Sequence, residues 1–209
     1  MNMKTRERIL LTSLKLFNEN GEPNVSTNHI ADEMDISPGN LYYHFRNKDD
    51  IILSLFMQFE KQISDALEAP TARALNMEDM WLYLHLVFES IWQYRFLYRD
   101  LDNILMRNRK VRLRFKRILE RKIRTAVAIC NGLVDAGIMH ATTEETEALA
   151  NNIAVVATYW LNYQRIRTDK QEENGDIGRG VYQVMTLVSP FLVEEMRHLL
   201  YRLSHDYLE

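Results

Sequence analysis

The sequence has few of the residues that interrupt regular structure or cross-link a chain. Among 209 residues there are one cysteine, four prolines and seven glycines. A single cysteine excludes the internal disulfide framework that stabilises many small secreted domains. Because 46% of the residues are hydrophobic and breaks are rare, the composition favours an all-α globular protein. Cys130 lies in an apolar context and is predicted to be a buried side chain, with redox sensing as the alternative.

Long hydrophobic runs are also missing. No stretch approaches the roughly 18 to 20 consecutive apolar residues of a membrane-spanning helix. The opening residues 1–8 are polar and do not resemble a signal peptide. We therefore expect a cytoplasmic protein with no membrane partner.

The sequence lacks the excess of positive charge that many nucleic-acid-binding proteins show. Its formal net charge is −3. Residues 1–48 contain six basic and six acidic side chains, so their net formal charge is zero. Any attraction of this region to DNA must therefore be local.

The patterns of catalysis are absent as well. No nucleophile, base and acid arrangement, metal-ligand spacing or phosphate-binding loop can be found. The glycines of residues 175–180 have a spacing reversed relative to the dinucleotide fingerprint, so residues 169–180 are predicted to be a flexible polar connector. We predict no enzyme activity, no metal site and no cofactor. Four histidines stand apart in surroundings that match no motif: His85, His140, His198 and His205.

In place of catalytic patterns, the sequence contains a helical pattern at residues 26–48. It predicts two short helices joined by a tight turn. Ser26 or Thr27 can cap the first helix, and the turn falls at Asp35. The pair Ser37-Pro38 supplies a second cap followed by proline at the first helical position, where its missing amide hydrogen costs least. This is the arrangement of a helix-turn-helix.

The second of these helices has a predicted inner and outer face. If Leu41 and Phe45, four residues apart, point into the core, Gly39 and Tyr43 lie on the outward face. A glycine there lets the backbone approach a base edge or phosphate closely. Neighbouring hydroxyl, imidazole and ammonium groups are donors suited to phosphate oxygens.

This region resembles the DNA-binding domain of the tetracycline-repressor (TetR) family in the run Thr27-x-x-Ile30-Ala31, Ile36-Ser37-x-Gly39-Asn40-Leu41-Tyr42-Tyr43-His44-Phe45, Asn47-Lys48. The resemblance covers the first quarter to third of the chain. Pro38 departs from the pattern, since many members carry there a side chain that can reach DNA. The DNA contacts that the resemblance implies are Thr27, Ser37, Gly39, Asn40, Tyr42, Tyr43, His44 and Lys48.

The resemblance also implies a fold and a division of the chain. We expect an all-α protein with an N-terminal three-helix helix-turn-helix domain at residues 1–48 and a connecting helix at 49–69. A larger helical effector-binding and dimerisation domain would occupy 70–209, with the boundary at Pro70. The further helices that the periodicity predicts are 6–20, about 48–67, 77–98, a basic helix ending before Gly137, 143–167, and 181–203 with a kink at Pro190.

The helix predicted at 77–98 is apolar almost all round, which indicates burial. His85, Glu89 and Gln93 nevertheless follow one another four residues apart along one edge. That edge either faces solvent or satisfied core partners, or it faces a ligand in an aromatic-lined cavity. On the second interpretation the effector is a small, largely apolar or aromatic molecule. Its contact residues would be Trp81, His85, Phe88, Glu89, Trp92, Gln93, Phe96, Phe115, Tyr159, Trp160 and Tyr163.

Residues 99–124 contain eleven basic and three acidic side chains. This stretch is either a solvated helix face, a nucleic-acid or membrane-surface patch, or a positive wall near the DNA or an anionic ligand. The sequence does not separate these interpretations.

The family resemblance implies a transcriptional regulator, and a repressor is the expected form. It would bind a palindromic DNA operator as a homodimer formed by the last two long helices, and a small hydrophobic effector would release it. The alternative is a DNA-binding regulator of the same fold without a metabolite ligand, which acts through a protein partner or on chromosome-related events.

Overall fold

A computed structural model describes residues 4–67, 76–167 and 176–205. Over these residues the structure is helical, which confirms the predicted all-α fold. None of the described helices has both the length and the hydropathy of a membrane span. The helices are α1 (Thr5–Asn20), α2 (Thr27–Glu33), α3 (Pro38–His44), α4 (Lys48–Ala66), α5 (Met77–Gln93), α6 (Arg95–Arg99), α7 (Leu101–Arg107), α8 (Arg109–Asp135), α9 (Thr143–Arg167), α10 (Asp176–Val188) and α11 (Glu194–His205).

The chain separates into two compact units. The first comprises residues 1–62 and 94–115, and the second comprises residues 63–93 and 116–209. The first unit therefore contains α6 and α7 in addition to the predicted DNA-binding helices. The division at residues 48 and 70 into DNA-binding, connecting and effector-binding parts stays a prediction, and Pro70 lies outside the described residues.

The core of the first unit forms where the apolar stripe of α1 meets the two short helices. Ile9 and Phe17 of α1 are fully buried, as are Ile30 of α2 and Leu41 of α3. Gly21 ends α1 with a φ of 79°, a backbone conformation that favours glycine. Burying one face of each helix against the others fixes the orientation of α2 and α3.

The helix predicted at 77–98 is in fact two helices. Tyr94 leaves helical geometry at φ −113° and ψ 38°, so α5 ends at Gln93 and α6 begins at Arg95. The break allows the Phe96 amide to donate to Asn18 Oδ1 at 3.0 Å, and the Phe96 ring to lie 5.2 Å from that of Phe17. Hydrogen bonding and packing on α1 replace the interrupted helical turn.

The basic stretch is also divided. Asn108 is extended, at φ −116° and ψ 96°, and separates α7 from α8. Its side-chain oxygen accepts from the Val111 amide at 3.1 Å and so caps α8. Residues 99–124 therefore do not form one helix face.

In the second unit, α10 packs on α5 and α9, and Gly180 marks a close approach. A β-carbon at Gly180 would lie 2.4 Å from Phe88 Cε1 and 2.8 Å from Trp160 Cδ1. The prediction of a connector through residue 180 is wrong for residues 176–180, which belong to α10. Residues 169–175 of that connector lie outside the described part. Glycine is used here to bring helices together, not to keep the chain flexible.

The last predicted helix, 181–203, was expected to kink at Pro190, but the structure divides it into separate helices. Pro190 lies in a short 3-10 helix, Ser189–Phe191, between α10 and α11. The end of this 3-10 helix and the residues after it pair with the chain before α9: the backbone amide of His140 donates to the Phe191 carbonyl at 2.8 Å, and the Val193 amide donates to the Ile138 carbonyl at 3.1 Å. These bonds satisfy backbone groups that a continuous helix would have paired internally.

Candidate functional site

The two short helices of the first unit are fixed at their beginnings by serine caps. Ser26 Oγ accepts from the His29 amide at 3.1 Å, and Ser37 Oγ accepts from the Asn40 amide at 3.2 Å. Pro38 occupies the first position of α3. Of the two predicted caps for α2, the structure selects Ser26. The helix-turn-helix signals in the sequence are therefore confirmed at the level of individual hydrogen bonds.

The turn between α2 and α3 is a tight reversal at Asp35. This residue has a φ of 53°, in the left-handed region. Its amide donates to the Asp32 carbonyl, and the Ile36 amide donates to the Ala31 carbonyl, both at 3.1 Å. This pair of bonds is the Schellman arrangement that closes many helix C-termini. It directs the chain into α3 within a few residues.

The predicted faces of α3 are confirmed. Leu41 is fully buried and Phe45 is 3% exposed, whereas Tyr43 is 85% exposed. A β-carbon built on Gly39 would meet a single non-neighbouring atom within 4 Å, Ser37 Oγ at 3.9 Å. The surface outside the first turn of α3 is therefore open, and a partner can approach the backbone of Gly39 closely.

Most of the predicted DNA-contact residues lie at the surface of the first unit. Thr27 Oγ1 and Tyr42 Oη are 3.0 Å apart in a hydrogen bond that joins α2 to α3. Because each hydroxyl can donate and accept, this bond still leaves donor capacity for a phosphate oxygen. The ring of Tyr43 meets that of His44 edge-on, with centroids 5.2 Å apart. Asn40 is exposed and His44 is half-buried.

Lys48 differs from the other predicted DNA contacts, because its ammonium group is bonded within the first unit. Its Nζ donates to the carbonyls of Glu22 and Val25 at 2.9 and 3.0 Å, and it lies 2.8 Å from Glu22 Oε1. An ammonium has three protons, and these three acceptors can use all of them. In this structure Lys48 joins the start of α4 to the segment that precedes α2.

Glu22 was missed by sequence reasoning and is the centre of this cluster. Its side chain has no solvent exposure, and Oε1 also accepts from Arg107 Nη2 at 2.9 Å. Arg107 Nε donates to Asp49 Oδ1 at 2.9 Å. Burial opposes ionisation of Arg107, but hydrogen bonds and charges from Glu22 and Asp49 raise its pKa above the ordinary value. An acid between a glycine and a proline carries no sequence signal of this role.

The predicted ligand contacts are divided between the two units. Phe96 and Phe115 belong to the first unit, where Phe115 packs on Tyr98 with centroids 5.9 Å apart. The remaining predicted contacts belong to the second unit. There Glu89 and Gln93 are exposed, which matches the solvent-facing interpretation of that edge in the single chain.

Other predicted ligand contacts have partners within the second unit. Trp81 stacks on His85 with centroids 5.4 Å apart. Trp160 is 7% exposed and packs, with the buried Phe88, against Gly180. Trp92 is half-buried, and Tyr159 and Tyr163 are about half exposed. The aromatic side chains therefore divide between core packing and surface.

Two small hollows lie in the second unit. Their cavity volumes are about 10 Å³ and about 20 Å³. Phe88 lines the first hollow, and Tyr83 and Leu84 line both. Each is close to the smallest space that holds one water. As described, neither hollow accommodates a drug-sized ligand.

Lys122 lines the first hollow and is 4% exposed. Burial lowers the pKa of its ammonium from 10.5 to about 7. The Tyr83 hydroxyl donates to the Lys122 carbonyl at 3.3 Å. A buried lysine in the basic stretch was not foreseen, since the interpretations of that stretch were a solvated helix face, a nucleic-acid or membrane-surface patch, or a positive wall near the DNA or an anionic ligand. Among the described residues no cluster of His, Cys, Asp and Glu could hold a metal ion.

Two family models match the chain: bacterial regulatory proteins of the tetR family over residues 9–55, and TetR, described as a bacterial transcriptional repressor, over residues 58–200. The second model alone covers more than half of the chain. The chain belongs to the TetR family. This TetR-family protein is a transcriptional regulator, and the family supports DNA binding. Such regulators are generally not enzymes.

Solved structures agree with this assignment. A TetR-family regulator of Marinobacter aquaeolei VT8 is 40% identical, with a TM-score of 0.90, and the match covers 98% of this chain and 99% of that one. A putative transcriptional regulator of Saccharomonospora viridis, in complex with choline, is 20% identical with a TM-score of 0.70, over 90% and 97% of the two chains. At that identity the similarity shows the fold alone.

A curated relative matches over a shorter part. An HTH-type transcriptional regulator of Staphylococcus aureus strain USA300 is 41% identical over 69 residues, which are 30% of this chain. The match spans 37% of the length of that relative.

Proposed function

We propose that this protein is a homodimeric repressor that binds a pseudo-palindromic operator through α3 and is released by a small, largely apolar effector. The observation that supports DNA binding through α3 is its outward face. Gly39 leaves the backbone open and Tyr43 projects from the surface, while the buried Leu41 fixes the helix. The proposed DNA contacts are Thr27, Ser37, Gly39, Asn40, Tyr42, Tyr43 and His44, with Lys48 as a support of the unit.

These residues divide into two kinds of contact. The hydroxyls of Thr27, Ser37 and Tyr42 suit phosphate oxygens, which fix register without reading sequence. The amide of Asn40 offers a donor and an acceptor, the pattern that recognises adenine in the major groove. Pro38 has no side-chain donor, so base reading falls to its neighbours.

Dimerisation is supported by an apolar stripe on α9. Val155, Tyr159, Tyr163 and Ile166 are 47% to 85% exposed and recur at three- and four-residue spacing along the helix. Such a stripe on a monomer is costly in water and favours self-association. A two-fold dimer would present two α3 helices to half-sites about 34–36 Å apart. The second dimer element that we propose is α10, the shortened counterpart of the last predicted long helix.

Selection of sites from a random duplex pool, followed by footprinting, tests DNA recognition. We expect symmetric half-sites whose centres are about 10 base pairs apart. Protection of one unsymmetric half-site by a monomer would contradict the proposal. Gly39→Leu is the matched variant, because it changes the proposed contact face without touching the core.

The effector part of the proposal rests on less direct support. A neighbour with this fold was solved with choline, so a small ligand is compatible with the fold. The water-sized hollows require side chains to move before an effector enters. The small size of the hollows also favours the second candidate, a regulator without a metabolite ligand that acts through a protein partner or on chromosome-related events. Release of labelled operator by an apolar compound, measured as fluorescence anisotropy, separates the two. Lack of release across a broad apolar set favours the second.

A further inference from the structure

The net charge of the chain is divided unevenly between its two units. In the first unit, residues 1–62 carry seven basic and nine acidic side chains, and residues 94–115 add seven basic and two acidic ones. The net formal charge of this unit is therefore +3, and it would be −2 without residues 94–115. Since the whole chain has a net charge of −3, the second unit carries −6. The segment formed by α6, α7 and the start of α8 thus makes the unit that contains the helix-turn-helix basic.

Two arginines of this segment attach it to the rest of the first unit. Arg107 donates to Glu22 and to Asp49, which lies in the first turn of α4. Arg114, two helical turns later, donates to Glu60 of α4. These ion pairs fasten the end of α7 and the start of α8 along α4. The charges of both arginines are compensated by the acids that they meet.

The cations between these two attachments are exposed. Arg109, Lys110 and Arg112 face solvent, whereas Val111 among them is 1% exposed. The ion pairs and side-chain hydrogen bonds of the described residues include none of these three side chains. Arg109 and Arg112 are three positions apart, so they are neighbours on the helix surface. The three residues form a cluster of positive charge that no acid of the described chain compensates.

The stability of α8 does not account for this cluster. A helix dipole favours negative charge at the N-terminus of a helix and disfavours positive charge there. The first turn of α8 nevertheless has no acidic residue, and neighbouring like charges on a helix repel one another. The arrangement is unfavourable in the free protein, and an anion bound from outside would relieve it.

The cluster lies near the base of the helix-turn-helix. Arg107 meets Asp49, and Asp49 follows Lys48, where α4 begins four residues after the end of α3. Two residues of chain keep the Cα atom of Arg109 within roughly 7 Å of that of Arg107. Side chains of a helix also tilt toward its N-terminus. The first turn of α8 therefore directs its cations back toward the end of α7 and the start of α4.

We propose that Arg109, Lys110 and Arg112 form a second DNA-contact surface, which binds phosphates of the duplex backbone beside the groove that α3 enters. The proposal rests on the proposed function and adds residues outside the helix-turn-helix to it. Guanidinium and ammonium groups pair well with phosphate oxygens. Because phosphates carry no sequence information, this surface contributes affinity for any duplex and leaves the reading of bases to α3.

Duplex DNA fits the cluster better than an anionic membrane does. A helix that lies in a membrane interface inserts its apolar face among the lipids. The apolar face of α8 is used within the protein at Val111 and Phe115, which are 1% and 6% exposed. Only single apolar side chains protrude beside the cations, Met106 at the end of α7 and Leu113 in α8. The family also supports DNA binding, so a polyanion is already the partner of this unit.

The test combines Arg109→Gln, Lys110→Gln and Arg112→Gln in the full chain. Fluorescence anisotropy measures affinity for a selected operator and for a random duplex between about 50 and 300 mM salt. We expect the slope of log affinity against log salt to fall by about 1 to 3 for each subunit bound, since each lost phosphate contact removes about 0.9. The fall should be equal on the two duplexes, so the ratio of operator to random affinity should stay within about twofold.

The matched control removes three exposed cations from the second unit, by the combined substitutions Arg117→Gln, Arg124→Gln and Arg202→Gln. It changes the net charge of the chain by the same amount and should leave the slope unchanged. An equal fall in slope for both triple variants would mean that total charge, not the cluster, sets the salt dependence, and this would overturn the proposal. If the first triple variant does not fold, each of its single variants should still lower the slope by about 0.9.

Two further results would overturn the surface. One is an unchanged slope in the folded triple variant of the cluster. The other is an unchanged slope together with loss of wild-type binding to phosphatidylserine vesicles, which would assign the cluster to a membrane. Failure of the regulator proposal looks different, because a wild type that selects no operator still binds the random duplex with a slope that tests the cluster.

Discussion

Arg107 Nη2 lies 2.9 Å from Glu22 Oε1, and the carboxylate that it meets has no solvent exposure. Lys48 Nζ approaches the same oxygen at 2.8 Å. Asp100, between α6 and α7, accepts from the Glu22 amide at 2.9 Å. Glu22 thus joins α7 and the start of α4 to the segment that leads into α2. Within the first unit, a displacement of α7 would therefore also displace Glu22 and the segment that leads into α2.

Arg107→Met should reduce the free energy of unfolding by about 2–4 kcal/mol, because it leaves a buried carboxylate with one cationic partner. Urea denaturation measures this loss. Arg109→Met, at an exposed position two residues later, should change stability by less than about 0.5 kcal/mol. In a Glu22→Gln background the Arg107 substitution should cost clearly less, since the two residues are coupled. If the losses of stability from Arg107→Met and Glu22→Gln simply add, the ion pair between these residues does not cause the loss.

Lys48→Met separates a structural role from a phosphate contact. Because its three donors have acceptors within the first unit, we expect a loss of about 3–5 kcal/mol in stability. The slope of log affinity for DNA against log salt should stay unchanged at temperatures where the variant is folded. A phosphate contact would instead reduce that slope by about 0.9, and this result would return Lys48 to the DNA contacts.

Gly39 allows a graded test of close approach. Gly39→Ala should raise the stability of the free protein by up to about 1 kcal/mol, since alanine favours helix and the site is open. DNA affinity should nevertheless fall with Gly39→Ala and fall further with Gly39→Leu. Filter binding and thermal unfolding measure the two quantities on the same samples. If Gly39→Leu binds the selected operator normally, α3 does not approach DNA through its first turn.

The sequence predicted α1 to α3 well because their signals are local. A serine cap, a proline at the first helical position and an apolar pair four residues apart each act within one turn of helix. Ser37, Leu41 and Tyr43 consequently lie where the pattern placed them. The turn at Asp35 is local in the same way.

The errors arose where distant contacts override local pattern. Apolar periodicity continues across Tyr94, but the bond from Phe96 to Asn18 favours a new helix. Gly180 looked like a flexible-loop residue because its use, an approach to Trp160, depends on another helix. Lys122 looked solvent-exposed for the same reason. Composition cannot show which turn of a basic helix faces a core.

Tyr159→Glu tests the proposed dimer face. Tyr159 is 47% exposed on the apolar stripe of α9, and Leu82 on α5 has the same exposure, which makes Leu82→Glu a matched control. Sedimentation velocity should show a monomer for Tyr159→Glu and a dimer for Leu82→Glu, because a charge is costly in a closed interface. The reverse pattern would move the interface to α5. Deletion from Gly180 onward is a poorer test, since α10 residues such as Val184 are buried in the unit.

The stability of the second unit should depend on the ionisation of Lys122. The pKa of this group is lowered from 10.5 to about 7 by burial, so between these values the unfolded chain binds more protons than the folded one. Stability must then rise with pH from about 7 upward.

Lys122→Met removes that dependence. Taking the difference between wild type and Lys122→Met cancels the common contribution of Cys130, whose pKa is raised by burial and acts in the opposite direction. Urea unfolding at pH 6.5, 7.5 and 8.5 should show the wild type gaining on the variant by roughly 1 kcal/mol per pH unit above 7. Parallel pH curves for the two proteins would mean that the Lys122 ammonium reaches water and keeps an ordinary pKa.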